Sequence, residues 1–139
     1  MQEPAIARWN VGISDTDFAK LKAGFEPQDH DDKWRYFVTD ESENGNISIH
    51  VIRTGTRVEH YILSVKPGEG SSGGGKIETI TWEQNLQGRI RISVDLAKKE
   101  VVLITRSVLG CDFEALPEID FGEVFNHPAY RLEDKTPTN

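Results

Sequence analysis

Apolar and polar positions alternate with a period of two through most of the middle of this chain, the pattern of strands that bury one face. Lys33-Trp34-Arg35-Tyr36-Phe37-Val38 opens the series with an aromatic-rich strand. Glu43-Asn44-Gly45-Asn46 follows, and its Asn-Gly pair readily takes the positive φ angles of a tight hairpin turn. The pattern then predicts a strand over 46–53, a turn at Thr54-Gly55-Thr56 and a strand over 58–66 that puts Tyr61, Leu63 and Val65 on one face. A further strand is predicted over 76–84. Arg89 to Leu96 alternates again, with Ile90, Ile92, Val94 and Leu96 opposite Arg89, Arg91, Ser93 and Asp95, and predicts a fifth strand. Ala97-Lys98-Lys99-Glu100 reads as a turn into a sixth strand over 101–108. Short links between consecutive strands favour an antiparallel meander.

Outside this region the period changes. Ser14 followed by Asp17 resembles a capping box with Asp in place of Glu, and Phe18, Leu21 and Phe25 recur at helical spacing with Gly24 as a stop, so a helix is predicted over 15–24. Residues 1–13 carry Ile6, Trp9, Val11 and Ile13, enough apolar side chains to pack on the core or form a short strand. The C-terminal stretch holds Phe113, Leu116, Ile119, Phe121, Val124 and Phe125; a short helix is expected near Phe121 to Asn126, and 133–139 are expected to be disordered. The predicted fold is α+β: a single domain over 1–139, with a curved antiparallel sheet of about six strands, one N-terminal helix and a short C-terminal helix.

Length and composition fit this picture. A chain of 139 residues buries roughly two thirds of its unfolded surface without needing a disulfide or metal. No apolar run is long enough to span a bilayer, the N-terminus lacks a secretory pattern, and the single Cys111 excludes an internal disulfide, so a cytoplasmic protein is expected. The net charge of −7 argues against general nucleic-acid binding. That charge is unevenly spread: residues 46–108 carry nine Lys and Arg against six Asp and Glu, whereas the flanks carry seven against seventeen. A basic middle with acidic flanks points to a face that binds anions, or simply to solubility.

Several patterns touch on chemistry. Gly70-Ser71-Ser72-Gly73-Gly74-Gly75-Lys76 has the spacing of a phosphate loop, but Ile77 replaces the magnesium-binding hydroxyl and a strand pattern follows, so a hairpin loop is expected and no cofactor. Asp29, His30, Asp31 and Asp32 match no Ca²⁺ loop; no metal is expected, and Asp31 or Asp32 is expected to pin Lys33 or Arg35. Cys111 has no basic neighbour and reads as a packing residue, as Trp34 and Trp82 read as core anchors. The candidate ligand-binding set is His50, Arg53, Arg57, His60, Arg89, Arg91 and Arg106. If 46–53 pairs with 58–66, His50 and His60 lie on neighbouring strands, and converging guanidinium groups would hold a phosphate or carboxylate bidentately. The plainer account has these arginines covering the solvent side of the sheet and pairing with Glu59, Glu78, Glu83 and Asp95.

Asp32-Lys33-Trp34 opening a strand, then His50, Arg53-Thr54-Gly55 and Tyr61, resembles small uncharacterised microbial domains with an Asp-Lys/Arg-Trp strand start and a His-Arg-Ser-Trp-Thr-Gly turn. The Ser-Trp pair is missing between Arg53 and Thr54. Some domains of this kind are associated with ADP-ribose metabolism, so the resemblance implies a site for a small phosphorylated molecule. With no nucleophile–base pair in the sequence, the leading expectation is a protein-interaction module. The alternative is an enzyme or ligand-binding domain for ADP-ribose or a nucleotide, using the Arg/His-lined sheet face. No membrane partner is expected.

Overall fold

The computed structural model describes residues 4–29, 32–40, 45–68, 74–86, 90, 91, 93–113 and 116. Strand β1 (Pro4–Ile13) leads into helix α1 (Asp15–Ala23). Four strands follow, β2 (Trp34–Asp40), β3 (Ile47–Arg53), β4 (Glu59–Pro67) and β5 (Gly75–Glu83). A two-residue pair, β6 (Asn85–Leu86) with β7 (Ile90–Arg91), precedes helix α2 (Val94–Val108). The main sheet is antiparallel throughout, in the order β1-β5-β4-β3-β2.

Strands β2 to β5 pair in sequence order as the predicted meander; residues 43 and 44 of the predicted Asn-Gly turn lie outside the described residues. The 69–73 stretch of the glycine-rich segment lies outside the described residues, but its flanks meet where the Gly68 amide donates to the Gly74 carbonyl at 2.8 Å, closing a hairpin loop. Residues 4–13 form a full edge strand on β5 rather than a loose arm. The C-terminal helix expected near Phe121 and the tail 133–139 lie outside the described residues.

The predicted fifth and sixth strands are corrected: 94–108 form one helix, and of the described residues in the fifth strand Ile90 and Arg91 alone are extended. The physical reason lies in the buried positions. Leu96, Ala97, Glu100, Val101, Ile104 and Thr105 recur at the spacing of one helical face, whereas the alternation from Ile90 to Leu96 ends at a cap. The Ser93 side chain accepts from the Leu96 amide at 3.2 Å, and Ala97-Lys98-Lys99-Glu100 are strong helix formers rather than turn residues.

Both helices lie on the same side of the sheet. Tyr36 on β2 shares a 2.6 Å hydrogen bond with Thr105 of α2, and the Tyr61 hydroxyl on β4 donates to the Glu100 carboxylate. Burial pushes the Tyr36 phenol well above its ordinary pKa range. Ile49, Val51, Leu63, Val65, Ile77 and Ile80 point at the helices and are at most 1% exposed. Each such side chain contributes about 1.5–3 kcal/mol through burial.

Helix α1 is joined to the chain beyond α2 by Asp17. Ser14 caps the helix by accepting from the Asp17 amide at 3.1 Å, as the capping pattern predicts. The Asp17 carboxylate instead accepts from the amides of Asp112 and Phe113, at 2.8 and 2.7 Å. Lys20 donates to the Gly110 carbonyl at 2.8 Å, fastening the same segment. Cys111 is buried there, and burial with the nearby Asp17 charge pushes its thiol up to about 12, which suits the packing role read from the sequence. Gly24 ends α1 at φ 70°, where a side-chain Cβ would lie 2.6 Å from the Tyr36 carbonyl oxygen.

Candidate functional site

Irregularities in strand pairing decide which polar side chains meet. Between β3 and β4, Val51 faces Tyr61 but Ile52 faces Glu59, which leaves His60 as the extra residue of a bulge. His50 faces Phe37 on one side and Ile62 on the other, away from the helices. Its Nδ1 pairs with the Glu59 carboxylate, and its Nε2 lies 3.3 Å from the Thr39 hydroxyl. Hydroxyl, imidazole and carboxylate in that order can activate a nucleophile. Here Thr39 lies within a strand, and the hydrogen bonds link three side chains across β2, β3 and β4.

His60 occupies a different environment. Its ring meets Trp34 edge-on, with centroids 5.0 Å apart, while Arg53 stacks over Trp34 at 5.1 Å. Burial, then the Arg53 charge, lowers the His60 pKa to about 4, against an opposing pull from Glu83. Its Nδ1 is buried without a hydrogen-bond partner, so the ring is neutral at neutral pH. The local turn is well tied: the Thr54 amide donates to the Lys33 carbonyl and the Thr54 hydroxyl to the Asp32 carbonyl, both at 2.9 Å. Asp32-Lys33-Trp34 and Arg53-Thr54-Gly55, separate in the sequence, therefore form one corner of the molecule.

The five members of the seven-residue set whose side chains are described are dispersed. Arg53 and His60 meet at Trp34, Arg57 lies in the turn between β3 and β4 with φ 61°, and His50 belongs to the array with Thr39 and Glu59. Arg106 donates to the carbonyls of Asp112, Phe113 and Leu116, fixing the chain after α2. Arg89 lies outside the described residues, and only the backbone of Arg91 is described, in β7. In the acidic loop, His30 and Asp31 are outside the described residues; Asp32 accepts from the Gln28 amide at 2.7 Å, and Arg35 pairs with Glu26 at 2.8 Å. Among the described residues no group of three or more His, Cys, Asp or Glu converges to hold a metal ion. Trp82 is 6% exposed, in keeping with a core role.

The face of the sheet away from the helices presents three cross-strand rows, assembled from the pairing register. Phe37, His50, Ile62, Thr81 and Ile6 form the first, running across all five strands. Its ends are exposed, Phe37 at 41% and Ile6 at 68%, and Arg35 stacks over Phe37 at 4.7 Å. Thr39, Ser48, Ser64, Thr79 and Arg8 form the second, a line of hydroxyls ending in a cation; Ser48 at its centre is buried. The third pairs Lys66 directly with Lys76, beside Gly12. Neither helix covers these rows. Sequence alternation marked the faces of single strands, but the third row needs the bulge that sets Glu78 aside between Ser64/Thr79 and Val65/Ile77.

Fold and surface thus define a two-layer α+β protein with helices on one side of an antiparallel sheet. Comparison with protein-family models, curated proteins and solved structures gives no match. No helix among the described residues is long and apolar enough to cross a membrane.

Proposed function

We propose that the chain is a protein-interaction module that receives a partner on the sheet face away from its helices. The observation that carries this reading is the first cross-strand row, in which apolar side chains at both edges, Ile6 and Phe37, stand 68% and 41% exposed. An antiparallel sheet with one solvated face ordinarily lines it with polar residues. Large exposed apolar groups on a rigid face are what a partner desolvates to gain affinity. The test is an Ile6→Asp/Phe37→Asp variant with an unchanged Tm. Cross-linking in cells and hydrogen exchange on the purified complex are expected to place the wild-type contact across the five strands from β2 to β1 and to lose it in the variant. A partner retained equally by both proteins refutes the reading.

The Trp34 corner supports a second reading, a site for a small phosphorylated molecule such as ADP-ribose or a nucleotide. It rests on the cation stacked on Trp34 beside a neutral imidazole. A thermal-shift screen tests it: a ligand at 100 times its Kd adds about 2.7 kcal/mol, and Arg53→Ala is expected to remove that gain. No shift from any nucleotide, ADP-ribose or sugar phosphate removes this reading.

A further inference from the structure

We infer that the partner of the open sheet face is an acidic protein segment with an apolar anchor at one end and carboxylates at the other. This deepens the interaction reading and rests on it. Lys66 and Lys76 face each other directly across β4 and β5, both exposed, with exposed Arg8 on the neighbouring strand. Among the described residues no acidic side chain forms an ion pair with any of these three cations. Glu78, the nearest carboxylate along β5, sits at the bulge and pairs with neither lysine. Like charges opposed across a strand pair work against the sheet, and a chain of net charge −7 has carboxylates in excess to neutralise them. Two lysines opposed across the strands, with no ion-pair partner among the described residues, are the arrangement that an anionic partner relieves.

Their position gives the partner its pattern. Ile62, Ser64 and Lys66 succeed one another on the outer face of β4, so the face passes from apolar through hydroxyl to cationic over roughly 13 Å. An extended segment matches it by placing carboxylates about four residues from a large apolar side chain, with hydroxyl or amide groups between. Charge would set the encounter rate and salt dependence, and the apolar anchor at Phe37 and Ile62 the residence time.

The experiment uses the full chain and a fluorescein-labelled peptide with a Phe-Leu pair joined by a short Ser/Thr spacer to a run of Glu. Its Gln counterpart serves as the comparison, and fluorescence anisotropy as the readout. The Glu peptide is expected to bind at least tenfold more tightly than the Gln peptide and to weaken steeply as salt rises. Lys66→Glu/Lys76→Glu is expected to abolish that preference, while Lys22→Glu/Lys99→Glu, with the same change in net charge on the helices, preserves it. Equal binding of the two peptides, equal loss in both variant pairs, or no binding of the Glu peptide overturns the inference. Binding only to phosphatidylserine vesicles overturns it in favour of a lipid surface. If Ile6→Asp/Phe37→Asp loses the cellular partner while Lys66→Glu/Lys76→Glu keeps it, the interaction reading stands and the acidic partner falls.

Discussion

Asp17 offers the sharpest test of how this fold is held together, because one fully buried carboxylate joins α1 to the chain beyond α2. Hydrogen bonds to a charged group contribute about 1.5–3 kcal/mol each. The two at Asp112 and Phe113 therefore represent about 3–6 kcal/mol before the cost of desolvating the carboxylate, itself several kcal/mol, is set against them. Asp17→Ala removes both the bonds and the desolvation cost, but leaves two amides unpaired, one of them buried. The expected loss is about 3 kcal/mol, a large share of the roughly 5–15 kcal/mol that holds a domain folded. Asp17→Asn keeps one acceptor but turns an amide group toward a backbone N–H, for an expected loss of about 2 kcal/mol. Urea unfolding followed by tryptophan emission measures both, with an unchanged m value as the sign that the unfolded state is not altered. Asp112→Ala, whose side chain is exposed, is the control and should cost under about 0.5 kcal/mol. An Asp17→Ala loss below about 1 kcal/mol, or one equal to the control, would refute the claim that this carboxylate fastens the two helical segments.

Two further outcomes follow from features of the same core. His60 has a folded pKa of about 4 against 6.5 unfolded, so below pH 6.5 the unfolded chain binds the proton first. Its contribution is then complete above pH 6.5 and lost as pH falls toward 4, by up to about 3 kcal/mol; His60→Phe should flatten that part of a stability profile, and an unchanged slope would count against a buried neutral ring. At Gly24, φ 70° and the 2.6 Å approach of a Cβ to the Tyr36 carbonyl predict that Gly24→Ala lowers stability by more than about 1 kcal/mol, measured by thermal unfolding.

Much of the sheet was legible in the sequence because its hairpins are local. Alternation fixed the inward set on β3 and β4, and Asn44-Gly45 and Thr54-Gly55 marked the connections. The stretch from Arg89 to Leu96 misled because three alternating aliphatic positions ran into a helix whose own apolar spacing begins at Leu96. Ser93 was the available signal: a cap residue before Ala97-Lys98-Lys99-Glu100, a sequence with no Gly, Pro or Asn to make a turn. Candidate site residues were harder to place because a bulge changes side-chain neighbours without changing composition. One extra residue at His60 separates the surroundings of the two histidines, and one at Glu78 brings Lys66 opposite Lys76. Arg106 read as a candidate ligand-binding cation; its role in holding three carbonyls depends on where the chain turns after α2.

The place of β1 in the sheet bears on how the chain is made. Its partner is β5, and Pro4 pairs with Glu83, so the first strand to be synthesised cannot complete its hydrogen bonding until the last strand of the main sheet has emerged. At roughly 5–20 residues per second the wait lasts several seconds. During it Trp9, Val11 and Ile13 have no sheet to cover them, while β2, β3 and β4 can already pair in order. A circular permutant opened between β1 and α1 would bring β1 out after β5, so its apolar residues would meet a formed partner as they emerge, without altering the finished sheet.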